Sequence, residues 1–132
     1  MTEEQEILKK LLVDEKDLIK DMPSIVEKVR EVFVIENRTG RVIFINIEAL
    51  SDSQRISALL LGRYFAQKLA LIDFYPIGVA EMANQLGRPK TALSGPLKDL
   101  ITKGLTEKLT NKKYGLAHHR IRDVADFILK RK

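Results

Sequence analysis

The chain has 132 residues, of which 45% are hydrophobic and 31% are charged, a composition that supplies a core and excludes disorder along most of the length. This length fits one domain, or one small domain with an appendage. The absence of cysteine excludes disulfides, thiolate catalysis and cysteine-rich zinc sites. No apolar run approaches the roughly 18 residues that span a bilayer, and the N-terminus lacks a secretory pattern, so we expect a cytoplasmic protein without membrane contact.

Charge is distributed unevenly along the chain, whose formal net charge is +5. Residues 1–75 contain 11 Lys or Arg against 13 Asp or Glu, a balance of −2. Residues 76–132 contain 12 against 5, a balance of +7. Such asymmetry is typical of a segment that binds a polyanion, although a basic surface can also serve solubility alone.

Two helices are predicted at the N-terminus. The first is indicated by apolar residues at three- and four-residue spacings: Ile7, Leu8, Leu11, Leu12, Leu18, Ile19 and Met22. Thr2, followed by Gln5 three positions later, has the spacing of a capping box at the start of this helix. Pro23 ends the first helix and suits the first turn of a second one, from Ser24 to about Arg30.

A β-hairpin is predicted next. Residues 32–35 and 42–45 are rich in β-formers, and residues 36–41 between them contain the turn formers Asn37 and Gly40. Both strands are apolar at consecutive positions, so we expect both faces of the hairpin to be covered. Two arrangements satisfy this expectation. Either a partner subunit covers one face, or the N-terminal helices and the following helix cover one face each.

A long helix follows, from about Asp52 to Leu71, and Ser51 with Gln54 has capping-box spacing at its start. Residues 73–76 end this helix and mark the best boundary in the sequence. The predicted organisation is therefore residues 1–50 with N-terminal helices and a hairpin, a candidate dimerisation region, and residues 51–132 with the long connecting helix and the module after it.

Polar and aromatic residues share the last turns of the long helix and the boundary behind it. Arg63 and Gln67 interrupt the apolar face of the helix. The aromatic residues are Tyr64, Phe65, Phe74 and Tyr75. Packed core is the favoured interpretation of these four, and a small-molecule pocket near the junction is the alternative.

Residues 77–101 predict two short helices joined by a tight turn. The apolar stripes are Val79, Met82, Ala83 and Leu86 in the first helix and Leu93, Leu97, Leu100 and Ile101 in the second. Gly87 supplies a turn residue, and Pro89 suits the start of the second helix. Two helices joined by about three or four residues have the geometry of a helix-turn-helix.

A lysine-tipped hairpin is predicted directly after the second helix. Its strands cover residues 105–109 and 114–118, with the turn 110–113 between them. A final amphipathic helix carries Ile121, Val124, Phe127 and Ile128 before the basic tail Lys130-Arg131-Lys132. A hairpin in this position defines a wing, and a basic tip is where a wing would meet a phosphate backbone.

From Pro76 to Lys130 the sequence resembles winged-helix transcription regulators of the MarR and ArsR kind. Residues 81–87 look like their first helix and turn, and residues 94–105 look like their recognition helix running into the wing. The resemblance implies a mainly α chain with small β-hairpins (α+β), in which N-terminal helices and a hairpin precede a C-terminal winged helix-turn-helix. It further implies a homodimer, nucleoid-associated, that binds double-stranded DNA, either sequence-specifically or generally, and regulates transcription.

The resemblance also assigns candidate DNA-binding residues: Arg88, Lys90, Thr91, Ser94 and Lys98 at or near the exposed face of the recognition helix, and Lys112 and Lys113 flanking the groove. Arg and Lys suit guanine edges and phosphates, and Thr and Ser suit phosphates and several bases. The alternative for each is an ordinary solvated side chain. Gly95-Pro96 departs from the pattern, because proline inside a helix loses a hydrogen bond. We therefore expect a kink, or a helix that starts near Gly95 and leaves residues 88–91 in an extended turn.

Other functions are less well supported by the sequence. A winged helix that binds protein in a replication, transcription or repair complex is the main alternative, and the Gly95-Pro96 break favours it. No glycine-rich phosphate loop, nucleophile elbow or paired carboxylate motif occurs, so we expect no enzyme and no cofactor. His118 and His119 are followed by Asp123 and Asp126, and the spacing of His119 and Asp123 can place two metal ligands on one helix face. A convincing third ligand is missing, so roles in the wing or in a helix cap are favoured over a metal site.

Overall fold

The computed structural model describes residues 2–8 and 22–130. In these ranges the chain forms six α-helices and two antiparallel two-stranded sheets, the expected α+β class. The elements are α1 Glu3–Leu8, α2 Met22–Val29, β1 Phe33–Ile35, β2 Val42–Phe44, α3 Asp52–Lys68, α4 Val79–Leu86, α5 Lys90–Thr102, β3 Thr106–Lys108, β4 Tyr114–Leu116 and α6 Ile121–Leu129. No helix in the described ranges combines the length and apolar character needed to cross a bilayer.

The first N-terminal helix begins as predicted, whereas α2 begins at Met22, two residues before the predicted start at Ser24. The backbone N–H of Thr2 donates to Gln5 Oε1, and that of Gln5 donates to Thr2 Oγ1, each at 3.2 Å. This pair of bonds confirms the capping box at the start of α1. The later part of the predicted first helix, residues 9–21, lies outside the described residues. Helix α2 carries Pro23 in its first turn and buries Ile25 and Val29.

Helix α3 lies at the centre of the molecule. Its capping box is confirmed, because Ser51 N–H donates to Gln54 Oε1 at 2.9 Å and Gln54 N–H donates to Ser51 Oγ at 3.2 Å. The buried Gln54 amide also donates to the carbonyl of Lys130 at 2.7 Å, which joins the start of α3 to the end of α6. The helix ends at Lys68, three residues before the predicted end, because Ala70 adopts the left-handed conformation that stops helices.

Buried side chains form one hydrophobic cluster that draws on both predicted regions. Ile25 and Val29 of α2 belong to the same cluster as the centre of α3 and the inner face of α6. Helix α2 packs directly on α6, and α6 packs on α3. Residues before and after position 50 therefore share a single core.

The first hairpin is confirmed, with Phe33 opposite Phe44 and Ile35 opposite Val42. One face packs on α3, where Val42 Cγ2 lies only 2.6 Å from the position that a Cβ of residue 62 would take, so Gly62 permits the contact. On the other face the apolar side chains remain largely exposed, by 44% at Val34, 45% at Ile43 and 57% at Ile45. The described residues thus cover one face only. Residues 9–21 of the predicted N-terminal helices lie outside the described residues, so both predicted arrangements of the hairpin stay predictions.

Candidate nucleic-acid interface

The two short helices and their tight turn are confirmed in α4 and α5. Gly87 has a φ of 64°, and the next backbone N–H, that of Arg88, donates to the carbonyl of Ala83 at 3.0 Å. Pro89 occupies the N-cap position of α5. The helices bury the facing residues Met82, Leu86, Leu93, Leu97 and Leu100. A three-residue connection therefore holds α4 and α5 against one another through an apolar seam.

Helix α5 runs without interruption from Lys90 to Thr102, with Pro96 inside it. The alternative of a helix starting near Gly95 was wrong, because five residues before that position are already helical. Ser94 does not cap a helix, since its Oγ lies 3.5 Å from the carbonyl of Thr91 in the preceding turn. The first turn of α5 therefore presents Lys90 and Thr91 in regular helical geometry.

One side of α5 is open and positively charged. Lys90, Ser94 and Lys98 are exposed and follow each other at four-residue spacing, which puts them on one face of the helix, and Thr91 is exposed beside them. In the described part of the chain, neither lysine makes a side-chain hydrogen bond or an ion pair. These ammonium groups are therefore available to an external anion.

Arg88 has a different environment from the α5 residues. Its guanidinium forms a bidentate ion pair with Asp52 in the first turn of α3, at 3.1 and 3.3 Å. Asp52 also pairs with Arg55 at 3.2 Å. Arg88 thus fixes the turn between α4 and α5 to the central helix, and contact with DNA would require it to exchange or share Asp52.

The lysine-tipped hairpin is confirmed in β3 and β4, with Thr106 opposite Leu116 and Lys108 opposite Tyr114. Its strands are shorter than predicted. Ile77 and Tyr114 exchange two backbone hydrogen bonds, at 3.2 and 2.9 Å, which adds a residue two positions before α4 to the edge of β4. The hairpin is therefore attached to the start of α4, as well as to the end of α5.

The tip of this hairpin carries backbone strain at a lysine. Asn111 and Lys112 have φ values of 61° and 57°, in the left-handed region. Asparagine tolerates this conformation, but for lysine it costs roughly 1–2 kcal/mol relative to a right-handed conformation. Lys112 is exposed, and Lys113 is half-buried. Neither side chain has a hydrogen-bonding or ionic partner among the described residues.

Arg63 and Gln67, which interrupt the apolar face of α3, hold the segment that leads to α4. Arg63 donates from Nε to the carbonyl of Tyr75 at 2.8 Å and from Nη2 to that of Phe74 at 3.0 Å. Gln67 Oε1 accepts the N–H of Tyr75 at 2.9 Å. Burial lowers the pKa of Arg63, and the charge of Glu81 opposes this shift. The connection between α3 and α4 is thereby fixed rather than left as a loose linker.

The aromatic residues at the junction divide into two groups. Tyr64, Phe65 and Tyr75 are buried, as the core interpretation predicted, whereas Phe74 is 54% exposed. The Tyr75 hydroxyl lies 2.8 Å from Nε2 of His118 and accepts the N–H of Leu116 at 3.2 Å. His118 is thus part of an aromatic contact between the junction and the second hairpin. Within the described ranges, no three His, Asp or Glu side chains cluster to hold a metal ion.

No protein-family model, no curated protein and no solved structure matches this chain.

Three interactions that shape the interface were missed by sequence reasoning: the Asp52–Arg88 ion pair, the Arg63 and Gln67 bonds to the junction, and the pairing of Ile77 with Tyr114. Polar residues on an apolar helix face were a signal for the second of these. Nothing local indicated the first or the third, because their partners lie 36 and 37 positions apart.

Proposed function

We propose that residues 77–129 form a winged helix-turn-helix that binds duplex DNA, and that the protein regulates transcription from a nucleoid-associated position in the cytoplasm. The observation that carries the proposal is the placement of four exposed or half-exposed lysines without described partners. Lys90 and Lys98 lie on the open side of α5, and Lys112 and Lys113 lie at the hairpin tip. Both positions are where a winged helix meets DNA.

In this proposal α5 enters the major groove and the hairpin follows the adjacent backbone. Lys90 and Lys98 neutralise phosphates or donate to guanine edges, and Thr91 and Ser94 donate to phosphates or bases. Arg88 contributes mainly by holding the turn on α3 through Asp52. Much of the affinity then comes from phosphate contacts, so binding should fall steeply as the salt concentration rises.

A homodimer is part of the proposal. One winged helix contacts only a few base pairs, and two copies related by a two-fold axis would contact two half-sites about one helical turn apart. The outer face of the first hairpin, with Val34, Ile43 and Ile45, is the candidate interface, because these exposed apolar side chains would be covered by the same face of a second copy. Light scattering of the purified protein measures whether it is a dimer in solution.

The test is a gel-shift titration with random-sequence duplex DNA at two salt concentrations. The variant Lys112→Glu/Lys113→Glu reverses the charge of the hairpin tip. We expect it to weaken binding about tenfold or more and to reduce the slope of log affinity against log salt by about two. The matched control is Lys28→Glu/Arg30→Glu at exposed positions in and directly after the last turn of α2, which makes the same change in net charge and should retain most of the affinity.

A protein-interaction module remains the second candidate, and one observation favours it. An apolar groove of about 420 Å³ opens between α2, β1 and the end of α3, lined by Val26, Phe33, Phe65 and Leu69 among others. The continuous helix through Pro96 removes the feature that had favoured this function in the sequence. Absence of duplex binding at low salt, with the protein folded, would reject the DNA proposal in favour of this one.

A further inference from the structure

A second basic surface lies away from α5, in a cleft between the turn of the first hairpin and helix α4. A cavity of about 690 Å³ is bounded by the hairpin turn and by Gln85 of α4, and it includes Arg38 and Arg41. A neighbouring cavity of about 340 Å³ shares Arg41 and Gln85 with the first and reaches Arg63 and Asn84. The two cavities together form one cleft, with Arg38 and Arg41 on the hairpin side and the amide side chains of α4 on the other, and apolar residues of β2 complete its lining.

Glu36 is the only carboxylate among the residues that line the cleft, and it accepts hydrogen bonds from the residues of its own turn. Glu36 accepts the backbone N–H of Arg38 at 3.0 Å, and it accepts both the N–H and the hydroxyl of Thr39 at 2.6 Å. The side chains of Arg38 and Arg41 make no hydrogen bond or ion pair within the described residues. Two guanidinium groups therefore face the cleft region without a bonded counter-ion.

The turn that carries these arginines is held in one geometry. Gly40 has a φ of 74°, and its N–H donates to the carbonyl of Glu36 at 2.9 Å. The Glu36 N–H in turn donates to the carbonyl of Arg41 at 2.9 Å. A Cβ at position 40 would lie 2.8 Å from Ile72 Cγ2, so the turn is packed on the segment after α3. Such a fixed backbone lowers the cost of ordering the arginines around a ligand.

We propose that this cleft binds a phosphate group, held by Arg38 and Arg41, with the amides of Asn84 and Gln85 on the opposite wall. Guanidinium groups match phosphate oxygens through paired, charge-assisted hydrogen bonds. Three arginines (Arg38, Arg41 and Arg63) and one carboxylate (Glu36) line the cleft, which leaves a net charge of +2 to balance the two charges of a phosphate monoester. The phosphate has two candidate sources. It belongs either to a free phosphorylated small molecule or to the backbone of a bound duplex, since the first helix of a helix-turn-helix crosses that backbone. Only the second source rests on the proposed function.

The test is an NMR titration of the full chain with inorganic pyrophosphate, and separately with a short random-sequence duplex, monitoring the arginine Nε–H signals and the backbone amides of Gly40 and Gln85. Arg41→Gln is the test variant, because the Arg41 side chain makes no hydrogen bond or ion pair among the described residues. Arg30→Gln directly after α2 is the matched control, an exposed arginine whose substitution removes the same charge. Whichever of the two ligands shifts the cleft signals, we expect Arg41→Gln to lower the affinity for it about tenfold and Arg30→Gln to leave that affinity unchanged.

The outcomes separate this proposal from the DNA proposal. Saturable pyrophosphate shifts confined to the cleft identify a free phosphorylated ligand, and they stand even if the duplex is not bound. Cleft shifts with the duplex alone, lost in Arg41→Gln, identify a backbone phosphate. Shifts with neither probe, or equal shifts in both variants, would overturn the phosphate site, and duplex binding through α5 and the second hairpin would be unaffected by that result.

Discussion

Each of the two hairpins pairs two three-residue strands in antiparallel register, but the turns that join the strands are built differently. In the first, Gly40 takes the left-handed position and the Glu36 carboxylate binds the turn backbone. In the second, Asn111 and Lys112 take the left-handed positions, and no side chain caps the turn. The first turn uses residues that suit its conformation, whereas the second holds a lysine where glycine would be more stable.

The strands of the two hairpins also differ in how they are attached to the rest of the molecule. The first hairpin buries Phe33 and Val42 against α3, so its position depends on packing. In the second hairpin, Glu107 and Lys108 are exposed, and attachment comes from the buried Leu116 and from the pairing with Ile77. Strained backbone conformations occur more often at functional sites than elsewhere in proteins. The comparison therefore suggests that the first hairpin serves the core and the second presents charge.

The largest expected effect tests the structural role of the first hairpin. Gly62→Ala places a Cβ 2.6 Å from Val42 Cγ2 and 3.2 Å from Phe33 Cε2, so the hairpin must move away from α3. We expect the free energy of unfolding to fall by about 2 kcal/mol, as for other overpacked cores. Urea denaturation monitored by circular dichroism measures this loss.

Gly95→Ala is the matched control for this prediction. Apart from its chain neighbours and the backbone of its own helix, the added Cβ meets no atom within 4 Å on the exposed side of α5. The substitution should change the free energy of unfolding by no more than about 1 kcal/mol in either direction, because the helix preference of alanine over glycine is opposed by the Cδ of Pro96, which disfavours a Cβ on the preceding helical residue. Equal effects of the two substitutions would contradict the assignment of the first hairpin to the core.

A smaller effect tests the second hairpin. Lys112→Gly removes a charge and also relieves a left-handed lysine, so the protein should become more stable by about 1 kcal/mol while DNA affinity falls. Lys113→Gly removes the same charge, but at an extended position with a φ of −102°, where glycine lowers stability. Thermal unfolding and gel-shift titrations of both variants separate the two effects.

If the two lysines bind DNA through their charge alone, both variants should lose a similar amount of DNA affinity, although their stabilities change in opposite directions. The slope of log affinity against log salt should fall by about one in each variant. If affinity instead follows stability, so that Lys112→Gly binds DNA better than the native chain, the tip serves the fold and not an external anion.

Features encoded within a few residues were predictable from the sequence. Both capping boxes, the glycine turn before α5 and the two hairpins were confirmed, because each depends on residues three or four positions apart or on one special backbone conformation. The early end of α3 was not predictable in the same way. It depends on a left-handed alanine at position 70, a residue type that carries no turn signal.

The candidate interface was predictable in position but not in detail. The resemblance to winged-helix regulators placed Lys90, Ser94 and Lys98 at or near the exposed face of α5, and all three side chains are exposed. The proline rule predicted a kink or a late helix start, and the late start was wrong, because α5 begins at Lys90 and contains Pro96. The ion pair between Asp52 and Arg88 spans 36 positions, and such tertiary contacts leave no local pattern to detect.

The smallest expected effect is a difference between the two hairpin turns in their response to pH. The Thr39 hydroxyl, the Thr39 N–H and the Arg38 N–H all donate to the Glu36 carboxylate and lower its pKa, the hydroxyl bond most strongly. A carboxyl group whose pKa is lowered by folding stabilises the native state above its unfolded pKa, and that contribution is lost as the pH falls through the folded pKa. Acidification should therefore loosen the first turn and spare the second, whose residues 110–113 contain no carboxylate.

NMR titration of the amide signals of Thr39 and Asn111 checks this difference between the turns. The Thr39 signal should move with a midpoint below the usual range for glutamate, and the Asn111 signal should not follow it. Glu36→Gln is the control, because it removes the titrating group and should abolish the Thr39 transition while leaving Asn111 as it was. A shared midpoint for both signals would mean that the turns are coupled, and that the first turn does not derive its stability from its own carboxylate.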